Sequence, residues 1–297
     1  MWLKYGVSED NALVSIEEVP SGKTSLTCLY CGSGLTAKKG KVKEHHFAHT
    51  EQTCRPVANR EIPTLPLYDN FNIQLSGKEL EELKVFWKNY GISNEGICFK
   101  PSWRLISSKL LFWNSCQGYY EFTDLGKIPV GALSLMLFNE VQEPMLLGKL
   151  SKLAQAAERA QLINSRHLNE KIADLRIYSA QLKRILESSL YFLKIKTERK
   201  ILHKIGITKR PIEQRVNEVQ KDLDAHYKQI EIQVMGTWKN RGNVELYFKH
   251  KYNKFNYKIG TLTEYFSFDN IELVLQDLRQ MKPKALAKIE LDILEKI

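Results

Sequence analysis

Residues 189–210 read SLYFLKIKTERKILHKIGITKR. Two short apolar runs of alternating pattern flank a charged turn, and that pattern is an antiparallel hairpin with strands over about 189–196 and 201–208. With the turn centred on Glu198-Arg199, Tyr191 falls across from Gly206 and Leu193 across from Lys204. Side chains alternate faces along a strand, so Tyr191, Lys204 and Gly206 share one face. Lys204 is then a diagonal neighbour of the tyrosine, and Gly206 is expected to leave open space above the phenol. Beyond the hairpin the pattern gives a helix over 211–225, a strand over 229–237, a helix over 243–255, the segment TEYFSF and a last helix from Asp269.

Such a face can do chemistry. A phenol is a poor base near neutral pH unless positive charge stabilises the phenolate. Lys204, or His203 beside it, is expected to supply that charge. Arg215, one turn into the following helix, offers a planar fork to a phosphate. Glu245 stands in GNVELYFKHKY among Lys239, Arg241, Lys249, His250 and Lys251, and no other acid lies between Glu231 and Glu264. A lone carboxylate in a basic field suits a single divalent ion. Taken singly, each residue reads better as hairpin decoration or solvated helix surface, and Glu245 as a carboxylate favoured by the helix macrodipole; it is their order together that points to a site. The charge pattern adds weight. Residues 189–260 carry 16 Lys+Arg against 7 Asp+Glu, which accounts for almost all of the chain's net +10 and favours a polyanionic partner.

On these residues, Ser189–Phe268 resembles a GIY-YIG nuclease domain, in the phage and bacterial branch whose second motif reads KIG. The resemblance implies a metal-dependent endonuclease that hydrolyses DNA phosphodiesters to a 5′-phosphate and a 3′-hydroxyl, with one magnesium or manganese ion. It implies Tyr191 as base, Arg215 as the phosphate contact, Glu245 as the Mg2+ or Mn2+ ligand, and Lys204 with Gly206 as the second motif. Thr208 and Thr263–Phe266 also fit the branch. Three departures stand out: Ser189-Leu190 replaces Gly-Ile, twelve residues separate Tyr191 from Lys204, and His250 follows Glu245 by five positions rather than four.

A second constellation is CLYCGSGLTAKKGKVKEHHFAHTEQTC, Cys28–Cys54. Cys28-x2-Cys31-Gly is a zinc knuckle, and four donors make a closed structural site. Cys28, Cys31, His49 and Cys54 are the expected Zn2+ ligands, with His46 as substitute for one of the last two and His45 outside. Lys38, Lys39, Lys41 and Lys43 around the turn either contact phosphates or solvate a loop. With HFAH and the turn Lys38-Lys39-Gly40, residues 1–60 resemble the zinc-ribbon-like module of CoiA-like competence proteins. That implies a shared nucleic-acid-handling module and no shared activity.

Between the two constellations, residues 61–144 are aromatic-rich, and in a segment of net negative charge the rings are expected to be core rather than base-stacking. Residues 145–188 read as one long helix, with Leu168, Leu175 and Leu182 at heptad spacing. That helix is either a spacer or the stalk of a homodimer, or a helix packed on its own chain.

The expected fold class is α+β. Its parts are a small β-rich zinc module (1–60), a mixed middle domain (61–144), a long helix (145–188), a small antiparallel sheet flanked by helices (189–281) and a C-terminal helix (282–297). No run approaches a membrane span, the N-terminus lacks a basic-then-apolar leader, and three of five cysteines cluster with histidines, which together read as cytoplasmic. The expected partner is DNA, with RNA left open. The alternative reading is a non-catalytic nucleic-acid binder on a degenerate nuclease fold, and a third is a helical adaptor.

Overall fold

The computed structural model describes residues 3–40, 42–59, 62–93 and 95–296. Lys41, one of the four lysines singled out above, lies outside them. The N-terminal strands are β1 (Tyr5–Val7), β2 (Leu13–Ser15), β3 (Gly22–Thr27), β4 (Gly34–Lys38) and β5 (His46–His49). There follow α1 (Arg55–Asn59), α2 (Gly77–Phe86), α3 (Trp103–Ser107), β6 (Leu111–Asn114), β7 (Tyr119–Phe122) and α4 (Asp124–Lys127). Two helices come next, α5 (Leu135–Leu162) and α6 (Leu168–Leu186), then β8 (Ser189–Thr197), β9 (Ile201–Thr208), α7 (Ile212–Asp224) and β10 (Ile230–Trp238). The chain closes with α8 (Val244–Lys251), β11 (Asn256–Ile259), β12 (Leu262–Phe266), α9 (Ile271–Arg279) and α10 (Lys288–Lys296). The class is α+β, as expected.

The segments group into two compact units. One joins the chain up to Leu65 with Leu146–Lys183; the other joins Pro66–Met145 with Arg184–Leu294.

In the first unit an antiparallel sheet runs β2-β1-β3-β4-β5. Leu3, Leu26, Leu35 and Phe47 bury one side of it, and Ile177 of α6 joins that core. The single helix expected over 145–188 is instead divided. Asn164 takes a left-handed φ of 46°, Ser165 N–H donates back to Ala160 O at 2.8 Å, and Asn164 N–H to Gln161 O at 3.1 Å. That is a Schellman-type stop, which asparagine tolerates as glycine does. Ser165 Oγ then accepts from His167 N–H at 3.2 Å and opens the next helix. Two residues of the seam region pack within the chain. Tyr178 and Leu182 are fully buried, and the Tyr178 hydroxyl donates to Leu146 O at 2.8 Å.

In the second unit a five-stranded sheet runs β10-β8-β9-β12-β11. The hairpin register is the expected one, with Tyr191 opposite Gly206 and Leu193 opposite Lys204. Its turn is held by Thr197, whose N–H donates to Lys200 O at 3.0 Å and whose Oγ1 accepts from Arg199 and Lys200 N–H at 3.3 and 3.2 Å. One face, carrying Tyr191, Leu193 and Ile195, is covered by Val219 and Leu223 of α7. The other, carrying Leu190, Phe192 and Ile205, packs on Val244 and Phe248 of α8 and on Leu275 of α9, with Phe138 of α5 alongside.

The middle segment divides between two roles. Phe71, Ile128 and Leu133 extend the core under the sheet, while Leu83, Phe86, Leu105 and Leu111 form a small core of their own. The expectation that its aromatics are core is only partly met. Phe86 is buried, yet Trp103 is 73% exposed and Trp113 50%. Trp113 lies on the two-stranded ribbon β6–β7, edge-on to Tyr120 at 4.9 Å, while Leu111 of the same strand is buried in the small core.

Candidate active site and metal site

Strand β8 carries Tyr191 inward beneath α7, where it is 1% exposed. Its hydroxyl accepts the Arg215 Nε–H at 3.0 Å, and the same guanidinium donates through Nη1 to Glu218 Oε2 at 2.6 Å. The charge facing the phenol is therefore Arg215, not Lys204 or His203 as expected. Burial pushes the Tyr191 phenol above its ordinary value; Arg215 pulls it down, and Glu245 and Glu264 push it up again. The phenol thus holds its proton at neutral pH, and with Arg215 on its oxygen its own O–H remains a donor.

Lys204 is 3% exposed and is spent elsewhere. Its ammonium donates to Glu264 Oε2 at 2.6 Å and lies 4.6 Å from the Tyr265 ring centre. Burial alone raises the Glu264 carboxyl, but Lys204 and Lys249 outweigh it and hold the group at about 2. Lys249 in turn donates to Glu264 Oε1 and to Glu245 Oε1, both at 2.9 Å. Glu245 is thus not the lone carboxylate that the sequence suggested. One ammonium joins it to Glu264, and the two acids with Lys204 and Lys249 form a single ion-pair chain.

Other expectations are corrected. His203 sits on the opposite face from Tyr191, because it is one residue out of phase with Lys204. It stacks on Phe192 with centroids 5.5 Å apart and planes 7° apart, and its buried Nδ1 has no hydrogen-bond partner. Burial, helped by Lys194, lowers its pKa to about 4, so it is neutral and supplies no charge to the site. Gly206 leaves no open space over the phenol: a Cβ there would fall 2.3 Å from Tyr191 Oη, so the tyrosine ring itself fills the room the missing side chain gives. His250 turns away as well, with Nε2 at 3.1 Å from both Ile128 O and Pro129 O.

The sequence reading missed Glu264, Lys249 and Glu218 as members of the site. Glu218 had a signal, three residues after Arg215 on one helix. Glu264 had only its place in TEYF. The position of Glu245 rests on α8, whose last turn is pinned where Lys251 Nζ and the Tyr252 hydroxyl both donate to Asp277 Oδ2 at 2.7 Å.

The second cluster forms in the first unit. Gly32, at φ 73°, closes the knuckle as its N–H donates to Cys28 O at 2.8 Å, while Cys28 N–H donates to Ser33 O at 2.8 Å. The end of β5 brings His49 to the knuckle, and Cys54 heads α1, its carbonyl accepting from Ala58 N–H at 2.9 Å. The four ligand atoms of Cys28, Cys31, His49 and Cys54 lie within 4.8 Å of one another. Cys28 and Cys54 sulfurs are 4.0 Å apart, and Cys31 Sγ is 3.4 Å from His49 Nε2. Tetrahedral zinc with ordinary bond lengths needs about 3.8 Å between sulfurs and about 3.6 Å between sulfur and nitrogen, so the set can hold zinc. His46, the substitute ligand, lies outside this group; its Nδ1 is 2.8 Å from Glu44 O.

Residues 188–282 match the T5orf172 domain. This nuclease-associated domain covers about a third of the chain, and Tyr191, Lys204, Arg215, Glu245, Lys249 and Glu264 all fall inside the match. It points to a nuclease-like or DNA-binding role for the segment. Curated proteins and solved structures gave no match. Among the described residues no helix is long and apolar enough to cross a membrane.

Proposed function

We propose that this protein is a metal-dependent endonuclease that hydrolyses DNA phosphodiesters, with a structural zinc module that helps to hold the nucleic acid. The observation that carries this is the Tyr191–Arg215 hydrogen bond beside the paired carboxylates of Glu245 and Glu264, within a segment that matches a nuclease-associated domain. Arg215 presents part of its fork to a phosphate while its Nε–H fixes the phenol. Tyr191 acts as base in a relay: its oxygen takes the proton of the attacking water while its own proton passes to a phosphate oxygen.

Glu245 supplies a hard oxygen of the kind magnesium or manganese takes, and Glu264 is the adjacent candidate. Bound there, the ion would neutralise charge that grows on the phosphate and leaving oxygen. Lys249, joined to both acids, keeps their repulsion in check without the ion and would release one of them to it. The zinc set Cys28, Cys31, His49 and Cys54 has no open position and serves folding.

A second reading, a non-catalytic nucleic-acid binder, draws on the burial of Tyr191 and on the engagement of both carboxylates by lysines. Nicking of supercoiled plasmid in magnesium or manganese separates the two. The endonuclease nicks, and Tyr191→Phe and Glu245→Gln abolish nicking while salt-sensitive DNA binding persists. A parent protein that binds without nicking establishes the binder.

A further inference from the structure

Next to the paired carboxylates lies a cleft of about 620 Å³, inside the range of about 300–1,000 Å³ common for small-ligand sites. Its floor is His250 lying on the Phe71 ring, centroids 4.9 Å apart and planes 28° apart. Nε2 of His250 faces the carbonyl oxygens of Ile128 and Pro129, two acceptors, so this nitrogen carries the proton and the ring is fixed in place. Burial, first among the causes, lowers its pKa, so the floor is an uncharged aromatic surface. Pro129 and Leu246 add apolar wall, and Lys84, Asp69 and Asn253 stand at the exposed rim.

Lys249 lines the same cleft. It is the ammonium that joins Glu245 to Glu264, and Leu246 of the wall follows Glu245 directly on α8. An occupant of the cleft is therefore next to the carboxylates. The lining also selects its chemistry. A flat neutral aromatic floor suits a heterocycle; Lys84, which pairs with Glu81 at 2.6 Å at the exposed rim, can turn to a flanking phosphate, and Asp69 with Asn253 can bond the polar edge of a base.

We infer that the cleft receives one nucleobase turned out of its strand beside the scissile phosphate. This rests on the nuclease reading of the adjoining site and makes its substrate class more definite. A base stacked and paired in a duplex cannot enter, so the preferred substrate carries an unpaired nucleotide next to the cut: a bulge, a mismatch or a single-stranded junction.

The test uses the full chain and two fluorescent duplexes of equal length, one fully paired and one with a single-nucleotide bulge. Affinity is read by anisotropy in calcium and cleavage positions are mapped in magnesium. The expected result is at least tenfold tighter binding to the bulged duplex, with cuts next to the bulge. Asn253→Trp, which closes the mouth, and Lys84→Glu, which reverses charge at the rim, should each reduce that preference to less than twofold. Equal affinity of the parent protein for both duplexes would overturn the inference, as would a preference that survives both substitutions. Binding preference without cleavage would count against the nuclease reading alone, and cleavage without preference against the cleft alone.

Discussion

Lys204 and Glu264 form an ion pair at 2.6 Å in which the lysine side chain is 4% exposed and the glutamate 42%. The pair is asymmetric: the ammonium has left water, whereas its partner still touches it. Removing the carboxylate leaves a desolvated cation, so Glu264→Gln should destabilise the fold by about 2 kcal/mol, less than a fully buried pair would lose because Glu264 is partly solvated. Urea unfolding at neutral pH measures this. The folded-state carboxyl lies at about 2, below its ordinary value, so its contribution is present above about pH 4.5 and is lost as pH falls toward 2. In Glu264→Gln that part of the acid decline should disappear.

Tyr191→Phe removes the acceptor for Arg215 Nε–H and little else. The cost in stability should be about 1 kcal/mol, since Arg215 keeps Glu218. Nicking should fall by about 10²-fold or more, the usual scale for losing a proton-transfer group. Thermal unfolding run beside the plasmid assay separates the two effects.

Gly206→Ala places a methyl group 2.3 Å from Tyr191 Oη, within a fully buried face of the sheet. The ring must move, at about 1–3 kcal/mol of overpacking. Nicking should fall nearly as far as in Tyr191→Phe although every proposed catalytic side chain is present. A near-normal rate in Gly206→Ala would mean that the phenol's position is unimportant.

His203→Phe replaces a buried, unpartnered imidazole by a ring of similar shape stacked on Phe192. Histidine buried neutral stabilises the fold above about pH 6.5, and that stability is lost as pH falls through about 4. The variant should therefore lose stability less steeply between pH 6.5 and 4 while nicking at the parent rate. A large loss of nicking would return His203 to the site.

One zinc per chain is expected by metal analysis. His49→Ala should lose it and His46→Ala should keep it, since only His49 lies in the ligand group. Strong chelation should unfold the sheet around Leu26 and Phe47, read by hydrogen exchange, because zinc held by the group would tie β3, β5 and α1 at one point.

The hairpin was legible because two local signals agreed: alternation fixed the faces, and the charged turn fixed the register that sets Tyr191 opposite Gly206. The Cys28, Cys31, His49 and Cys54 group was legible for a similar reason, since short spacings and knuckle geometry leave few alternatives. What escaped was set by reach between distant elements. Lys249 meets Glu264 across 15 positions and Lys204 meets it across 60, and no periodicity encodes which long side chain bends to which carboxylate. The break at Asn164 escaped because asparagine ends a helix by a local hydrogen-bond pattern that heptad spacing does not register. Trp103 and Trp113 were read as core from the net negative charge of their segment, though exposure depends on what the fold places above them.

The turn held by Thr197 makes no contact with the site, yet it acts as its ruler. One residue more or fewer between Thr197 and Ile201 would exchange the two faces of β9, bringing His203 beneath α7 and sending Lys204 to the far side. Glu264 would then have lost its closest cation and Tyr191 its glycine. The alignment of this site is thus metered by the length of a surface turn, and insertions there should be as damaging as changes to the phenol itself.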